Sequence, residues 1–274
     1  VDDTIRRDAV PEDGVAAALA KRISSARIRT EPFPYVVVND FLPPALYREG
    51  LAHWPSDDRF KTTNYARRYQ LNLTAYTSGQ FAEEAFFWRS VLDLAAQINR
   101  ALFEKLRPYF QLKFRSLLGE NWKATIAGKY HVSFREAHLA QYSGSSGLHP
   151  HVDSQRLVLN SFLYMSETDE IEPSLGTVLY RTYGFSMPEN NMKLAAKTQD
   201  RFLARDVVIP YRRNCLFSFL NTPFAFHGVD EFDIGERRRR IMLLGPVIRE
   251  SEIALHNEFK RRGHVIDWGD DAAE

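Results

Sequence analysis

The segment GLHPHVDSQR, residues 147–156, places two histidines and an aspartate close together: His149, His151 and Asp153. Alternate residues of an extended chain point to one face. His151 and Asp153 can therefore offer an imidazole and a carboxylate to the same ion. His149 lies further from Asp153, with Pro150 between them, and is the poorer partner. Two ligands hold a metal weakly, and His227 in FAFHGVDEF is the best third. It follows the apolar run CLFSFL and precedes another strand-like segment, which places it at a strand edge. Two histidines and one carboxylate on one face of an octahedron leave coordination positions open, which suits non-haem Fe(II) oxygen chemistry. Zinc hydrolases draw on the same ligand types, so zinc stands as an alternative. Taken singly, an H-x-D is more often a polar loop and a lone histidine more often a core or surface residue.

The run Arg237–Arg240 in GERRRRIMLLGP bears on the choice of metal. As an exposed basic face it would be unremarkable. Here it enters IMLLGPVI, which reads as a buried strand. On an alternating strand Arg237 and Arg239 share one face, and Arg238 and Arg240 share the other. One pair must point inward or lie at a wet mouth, and an inward arginine needs an anion. A bound dicarboxylate would supply it through a bidentate fork.

The elements that position these residues change character along the chain. The first half reads as helical, with PEDGVAAALAKRISSARI, PPALYREGLAHWP and the stretch from Ser78 to about Leu118 carrying apolar residues at three- and four-residue steps. PYVVVNDFL is β-branched and strand-like. The second half is a succession of short β-rich runs, among them KYHVSFREAHLAQYS, RLVLNSFLYM, GTVLYRTYG, RDVVIP and NCLFSFL. Gly, Pro, Asn and Asp punctuate them, which suggests an antiparallel sandwich or barrel. Residues 186–204, SMPENNMKLAAKTQDRFLA, are long for a hairpin connection and read either as a lid or as a surface insertion.

Taken in order, YSGSSGLHPHVDS, FLYMSE, GTVLYR, IPYRRNCLFSF, HGV and GERRRRIMLL resemble the 2-oxoglutarate/Fe(II)-dependent dioxygenases, in particular their prolyl-4-hydroxylase-like branch. EPFPYVVVNDFLPPALYREGLAHWP is similar to the entry segment of these proteins. The resemblance implies an α+β, mainly β fold: a double-stranded β-helix (jelly-roll, cupin-like) core with supporting N-terminal helices. One catalytic domain would span 1–274, with helical support over 1–125, the core over 126–250, and a C-terminal helix and tail over 251–274. It implies that His151, Asp153 and His227 ligate Fe(II) and that Arg237 binds the distal carboxylate of 2-oxoglutarate. Tyr164 would donate its hydroxyl to that carboxylate, and Tyr142 would line the cosubstrate or substrate side. O2 and 2-oxoglutarate would be cosubstrates, yielding succinate and CO2 as a small-molecule C–H is hydroxylated. An amino acid derivative or natural-product intermediate is the expected substrate. Asp153 argues against the related halogenating group, which has Gly or Ala there.

The sequence departs from the branch in having YMS for Tyr-Leu-Asn, LGT for a Gly-Gly pair, and the long 186–204 segment. These departures bear on substrate more than on chemistry. Arg156, Arg181 and Arg213 are spare cations near the expected site, with Arg156 and Arg181 the candidates for substrate contact. Two alternatives stand beside this reading: hydroxylation of a protein or peptide residue, and a non-catalytic cupin-like binding protein.

Composition limits the remaining classes. Lys plus Arg number 36 against 35 for Asp plus Glu, a net charge of +1, so no nucleic-acid partner is expected. No apolar stretch is long enough for a membrane span. Cys215 is the single cysteine, so no intrachain disulfide can form. That and the absence of a signal-peptide core in the first residues lead to a cytoplasmic expectation. A homo-oligomer is compatible with all of this.

Overall fold

The computed structural model describes residues 14–63, 68–187, 194 and 196–249. The expected C-terminal helix and tail, 251–274, lie outside them. The helices are α1 (Val15–Ser25), α2 (Pro44–Ala52), α3 (Leu73–Ser78), α4 (Phe86–Leu106), α5 (Gln111–Leu118), α6 (Trp122–Lys129) and α7 (Ala196–Phe202). In the first half the strands are β1 (Ile28–Arg29), β2 (Tyr35–Val38), β3 (Lys61–Thr62) and β4 (Arg68–Asn72). Then follow β5 (Val132–Ser133), β6 (Ala137–Tyr142), β7 (Ser145–His151), β8 (Leu159–Tyr164) and β9 (Glu172–Thr182). The last are β10 (Leu203–Tyr211), β11 (Cys215–Leu220), β12 (His227–Asp233), β13 (Arg239–Leu244) and β14 (Val247–Ile248).

Two antiparallel sheets face each other. The larger runs β1-β2-β11-β8-β13-β6-β4-β3 and the smaller β10-β9-β12-β7. From β6 to β13 the chain crosses repeatedly between them, which is the double-stranded β-helix that the resemblance implies. The entry segment supplies β2, which extends the larger sheet beyond β11, while β4 and β3 extend it beyond β6. β5 and β14 pair separately as a small ribbon.

Strand alternation gives the larger sheet two different faces. One face carries Leu139, Leu159, Leu163, Leu216 and Met242, packed with the helices in one apolar cluster. α4 covers it because Phe87, Val91, Leu94, Ala95, Ile98 and Leu102 recur on one side of the helix. The expected long helix from Ser78 is divided: α4 ends at Leu106 and a 3-10 turn containing Pro108 separates it from α5. Proline lacks the N–H an interior helical turn uses, so the axis breaks there. The opposite face carries Ala140, Tyr142, Tyr164, Phe217, Phe219 and Ile241, which meet Leu175, Leu179, Ile209 and Tyr211 of the smaller sheet.

Local devices hold the frame at its corners. Asn214 adopts a left-handed backbone, φ 52°. Its buried side chain accepts from the Leu42 N–H at 2.8 Å and donates to the Leu42 carbonyl at 2.8 Å. The entry segment is thereby clamped to the turn before β11.

β7 and β12 approach closely at Gly228, where a Cβ would stand 2.5 Å from the Leu148 carbonyl oxygen. Gly228→Ala is expected to push these strands apart and lower stability by about 1–3 kcal/mol, as overpacking does. Denaturant unfolding of the variant beside the parent measures this.

Candidate metal centre

β7 ends at His151 and β12 begins at His227, and the two residues are direct cross-strand partners. Partners on antiparallel strands project to the same face, so their rings meet with centroids 4.3 Å apart. Asp153 follows β7 in a loop, yet the alternation persists. Val152 turns away into an apolar cluster with Phe185, Met187, Leu194 and Phe226. Asp153 turns back, with one carboxylate oxygen 3.5 Å from His151 Nε2 and the other 3.4 Å from His227 Nε2. One ligand atom from each residue lies within 4.8 Å of the others.

This donor set fits a metal ion. His151 Nδ1 bonds the His149 carbonyl at 2.9 Å and His227 Nδ1 bonds the Ala225 carbonyl at 3.2 Å. A backbone carbonyl accepts, so each Nδ1 carries the proton and each Nε2 presents its lone pair inward. Burial pushes the His227 imidazole below its ordinary pKa, with His151 adding to the effect, which favours the neutral ligand form. Burial alone would raise the Asp153 carboxyl, but the two imidazoles beside it outweigh that and hold it well below the usual range. Phe219 lies edge-on to His227 at 4.8 Å and Phe162 at 6.2 Å, an apolar wall around the donors.

The Asp153 loop is held by polar groups on other elements. Asn221, just past β11, donates from Nδ2 to the carbonyls of Asp153, Ser154 and Leu157 at 3.3, 2.8 and 3.1 Å. Lys113 of α5 is fully buried and donates to Gln155 Oε1, the Leu157 carbonyl and the Asn221 carbonyl at 2.9, 3.0 and 2.7 Å. Gln155 in turn donates to the Asp153 carbonyl at 3.3 Å. Burial drives the Lys113 pKa well below its ordinary value. Neither Lys113 nor Asn221 carries a motif. Lys113 sits in what reads as an amphipathic helix, and only its three acceptors explain its burial.

The arginine run is arranged differently from the expectation. Residues 235–238 form the turn between β12 and β13: Gly235 has φ 55° and the Arg237 N–H bonds the Ile234 carbonyl. Strand alternation therefore begins at Arg239, and Arg237 does not share its face. Arg237 is exposed and paired with Glu172 at 3.1 Å, away from the interior. Arg239 is 2% exposed. Its guanidinium lies 5.0 Å from the Tyr142 ring, 5.4 Å from Tyr211 and 5.8 Å from Tyr164. Nε donates to the Leu175 carbonyl at 2.6 Å, while the buried Nη1 has no partner. The Tyr164 hydroxyl shares a 2.7 Å hydrogen bond with Thr177 Oγ1, and burial pushes its pKa up to about 12. Tyr142 and Tyr164 thus flank Arg239.

The two arginines expected near substrate are engaged by protein partners. Arg156 donates to the carbonyls of Ile248 and Arg249 at 3.1 and 3.4 Å. Arg181 pairs with Glu31 at 2.6 Å and Asp206 at 2.7 Å on the surface. Arg213 pairs with Asp169. Each is engaged by a protein group other than the three donors. The 186–204 segment is described only in part, since 188–193 and 195 lie outside the described residues. Its described part places Met187, Leu194 and Phe202, with Phe185 just before it, in one apolar cluster with Val152 and Phe226. Leu203 already belongs to β10, which pairs with β9.

Hollows lie beside the core. A cavity of about 170 Å³ is bordered by Asp153, Phe162 and Leu243, together with Arg68, His138 and Asn160. A larger open one of about 810 Å³ follows β7 and β12 past Gly147, His149, Asp230 and Glu231. None of the three donors lines the larger one, so the smaller adjoins the chemistry.

No protein-family model matches the sequence, and no curated protein is similar to it. Solved structures are similar. A prolyl 4-hydroxylase structure from Phytophthora capsici aligns at 12% identity over 88% of this chain and 68% of the other, with a TM-score of 0.53. A Pseudomonas putida prolyl-4-hydroxylase aligns at 15% identity over 86% and 99%, with a TM-score of 0.47. HygX from Streptomyces hygroscopicus, solved with nickel and 2-oxoglutarate, aligns at 11% identity over 78% and 82%, with a TM-score of 0.42. At such identities the first match speaks to the fold. Among the described residues no helix is long and apolar enough to cross a membrane.

Alanine at His151, Asp153 or His227 is expected to abolish stoichiometric binding of Fe(II) or a surrogate divalent ion, read by calorimetry. Lys113→Met is expected to weaken metal affinity about 10–100-fold, the range for residues that orient ligands. It should also cost about 1–3 kcal/mol of stability by leaving buried acceptors unpaired.

Proposed function

We propose that this chain is an Fe(II)- and 2-oxoglutarate-dependent oxygenase that hydroxylates a C–H bond of a small molecule. One observation carries the reading. The sandwich holds a His-Asp-His donor set, and between the same two sheets lies a buried arginine with an unpartnered N–H. A metal hydrolase would need the first and would have no use for the second. A buried guanidinium without an anion is costly, and a dicarboxylate cosubstrate supplies the missing charge. The double-stranded β-helix shared with the Phytophthora capsici prolyl 4-hydroxylase structure agrees with this assignment.

Each residue then has a definite task. His151, Asp153 and His227 would hold Fe(II) on one side and leave the other side open. Bound there, the iron with 2-oxoglutarate supplies O2 activation, releasing succinate and CO2. Arg239 would take the distal carboxylate through Nη1, with Nε already fixed on the Leu175 carbonyl. Tyr164, Tyr142 and Tyr211 box the guanidinium and exclude water from it, which strengthens the charge pairing. Tyr164 remains a neutral donor, since burial raises its pKa. Phe162 and Phe219 screen the donor side. The small cavity beside Asp153 supports a small substrate over a peptide groove, because drug-sized clefts typically run to roughly 300–1,000 Å³.

Incubation with Fe(II), 2-oxoglutarate and O2 is expected to yield succinate, slowly without substrate and faster with the right one. A folded, metal-loaded protein that neither binds 2-oxoglutarate nor forms succinate would sink the reading. Arg239→Met is expected to raise the KM for 2-oxoglutarate by about 10–100-fold, the loss of a charged hydrogen-bonded pair worth about 1.5–3 kcal/mol. Arg237→Met should change it by less than about twofold, as for an exposed ion pair.

A further inference from the structure

Three polar side chains on the inner face of the larger sheet border the cavity beside Asp153 and have no assigned role. Arg68 and His138 stand on the neighbouring strands β4 and β6, and Asn160 on β8. Each turns a buried polar atom to no partner: Arg68 Nε, His138 Nδ1 and Asn160 Nδ2. Buried polar groups in folded proteins are almost always satisfied. Three orphans around one small cavity mark a place where a ligand's acceptor atoms are missing.

The surroundings define that ligand. Arg68 has no carboxylate within ion-pair distance among the described residues; its Nη2 donates to Gln70 Oε1, which orients the guanidinium. Asn160 is 3% exposed and offers amide hydrogens. Burial, with Arg68 beside it, pushes His138 down to about 4, so it serves as a neutral imidazole. One cation and neutral donors match a single carboxylate. Glu136 shares the cavity, 3.9 Å from His138 Nε2, and together with Asp153 it disfavours a second negative charge. The volume of about 170 Å³ admits only a small molecule or the end of one.

We propose that this cavity binds the carboxylate of a small substrate through Arg68, His138 and Asn160, holding the adjoining carbon chain beside Asp153. The proposal rests on the oxygenase reading above and deepens it: the substrate is a small monocarboxylate, an amino acid among them, and not an amine or a neutral peptide segment. Arg68 serves substrate while Arg239 serves cosubstrate, so the two arginines separate by ligand.

The test uses the full chain loaded with Zn(II) and saturating 2-oxoglutarate, titrated with butyrate or with n-butylamine and followed by ligand-observed NMR. Butyrate should bind at least about tenfold more tightly than butylamine, as a charged carboxylate on a guanidinium requires. Arg68→Met should weaken butyrate by at least about tenfold and 2-oxoglutarate by less than about threefold. Asn160→Asp, nearly isosteric, should weaken butyrate by about fivefold or more through repulsion, and it serves if the arginine variant misfolds. Butyrate that does not bind, binds no better than butylamine, or is indifferent to the folded variants overturns the proposal. An Arg68→Met protein that loses 2-oxoglutarate and butyrate alike also overturns it, because the cavity then belongs to the cosubstrate. Failure of the parent to bind 2-oxoglutarate defeats the oxygenase reading itself, and this proposal with it.

Discussion

The site depends on one cross-strand pair, His151 against His227. Antiparallel pairing of β7 with β12 sets the two imidazoles side by side, and carbonyl bonds at Nδ1 turn both Nε2 atoms inward. Nothing in either strand's own propensity achieves this. It requires the two backbones to approach without a side chain between them, which the glycine after His227 permits. The rest of the sandwich keeps this pair in register, with helices on one face of the larger sheet and the smaller sheet on the other.

The third ligand is positioned by other means. Asp153 lies beyond the end of β7, where ladder hydrogen bonds no longer fix the backbone. Lys113, Gln155 and Asn221 replace that ladder, tying α5, the loop and the end of β11 into one network. Val152 fixes the same loop from the opposite side by packing against Phe226. A carboxylate held by both polar and apolar anchors has little freedom to leave the two imidazoles, and ligands fixed in advance bind metal without an ordering cost.

The cluster of His151, Asp153 and His227 was legible in the sequence because the residue types and alternate spacing are unusual, and the sandwich because its strands are short, β-rich and well punctuated. The break in the long helical stretch is also visible in hindsight at Pro108. The inward arginine was not legible: whether Arg237 or Arg239 faces the interior depends on where the turn ends, and four consecutive arginines hide that boundary. The turn hydrogen bond at Arg237 decides it. Arg156 and Arg181 were singled out by charge alone, which carries no information about the protein groups that engage them. Arg68, His138 and Lys113 carry no spacing signal, because they come from segments without a motif and are brought beside the Asp153 loop only by sheet order and helix packing.

On the proposed function, His151, Asp153 and His227 hold iron in a form that 2-oxoglutarate can chelate. Anaerobic addition of Fe(II) and 2-oxoglutarate to the purified chain tests it most directly, followed by visible absorption. A weak charge-transfer band that saturates at one iron per chain, and is absent from the His151→Ala protein, is the result expected here. Absence of the band in the folded parent, or its persistence in the variant, would overturn the assignment of these three residues.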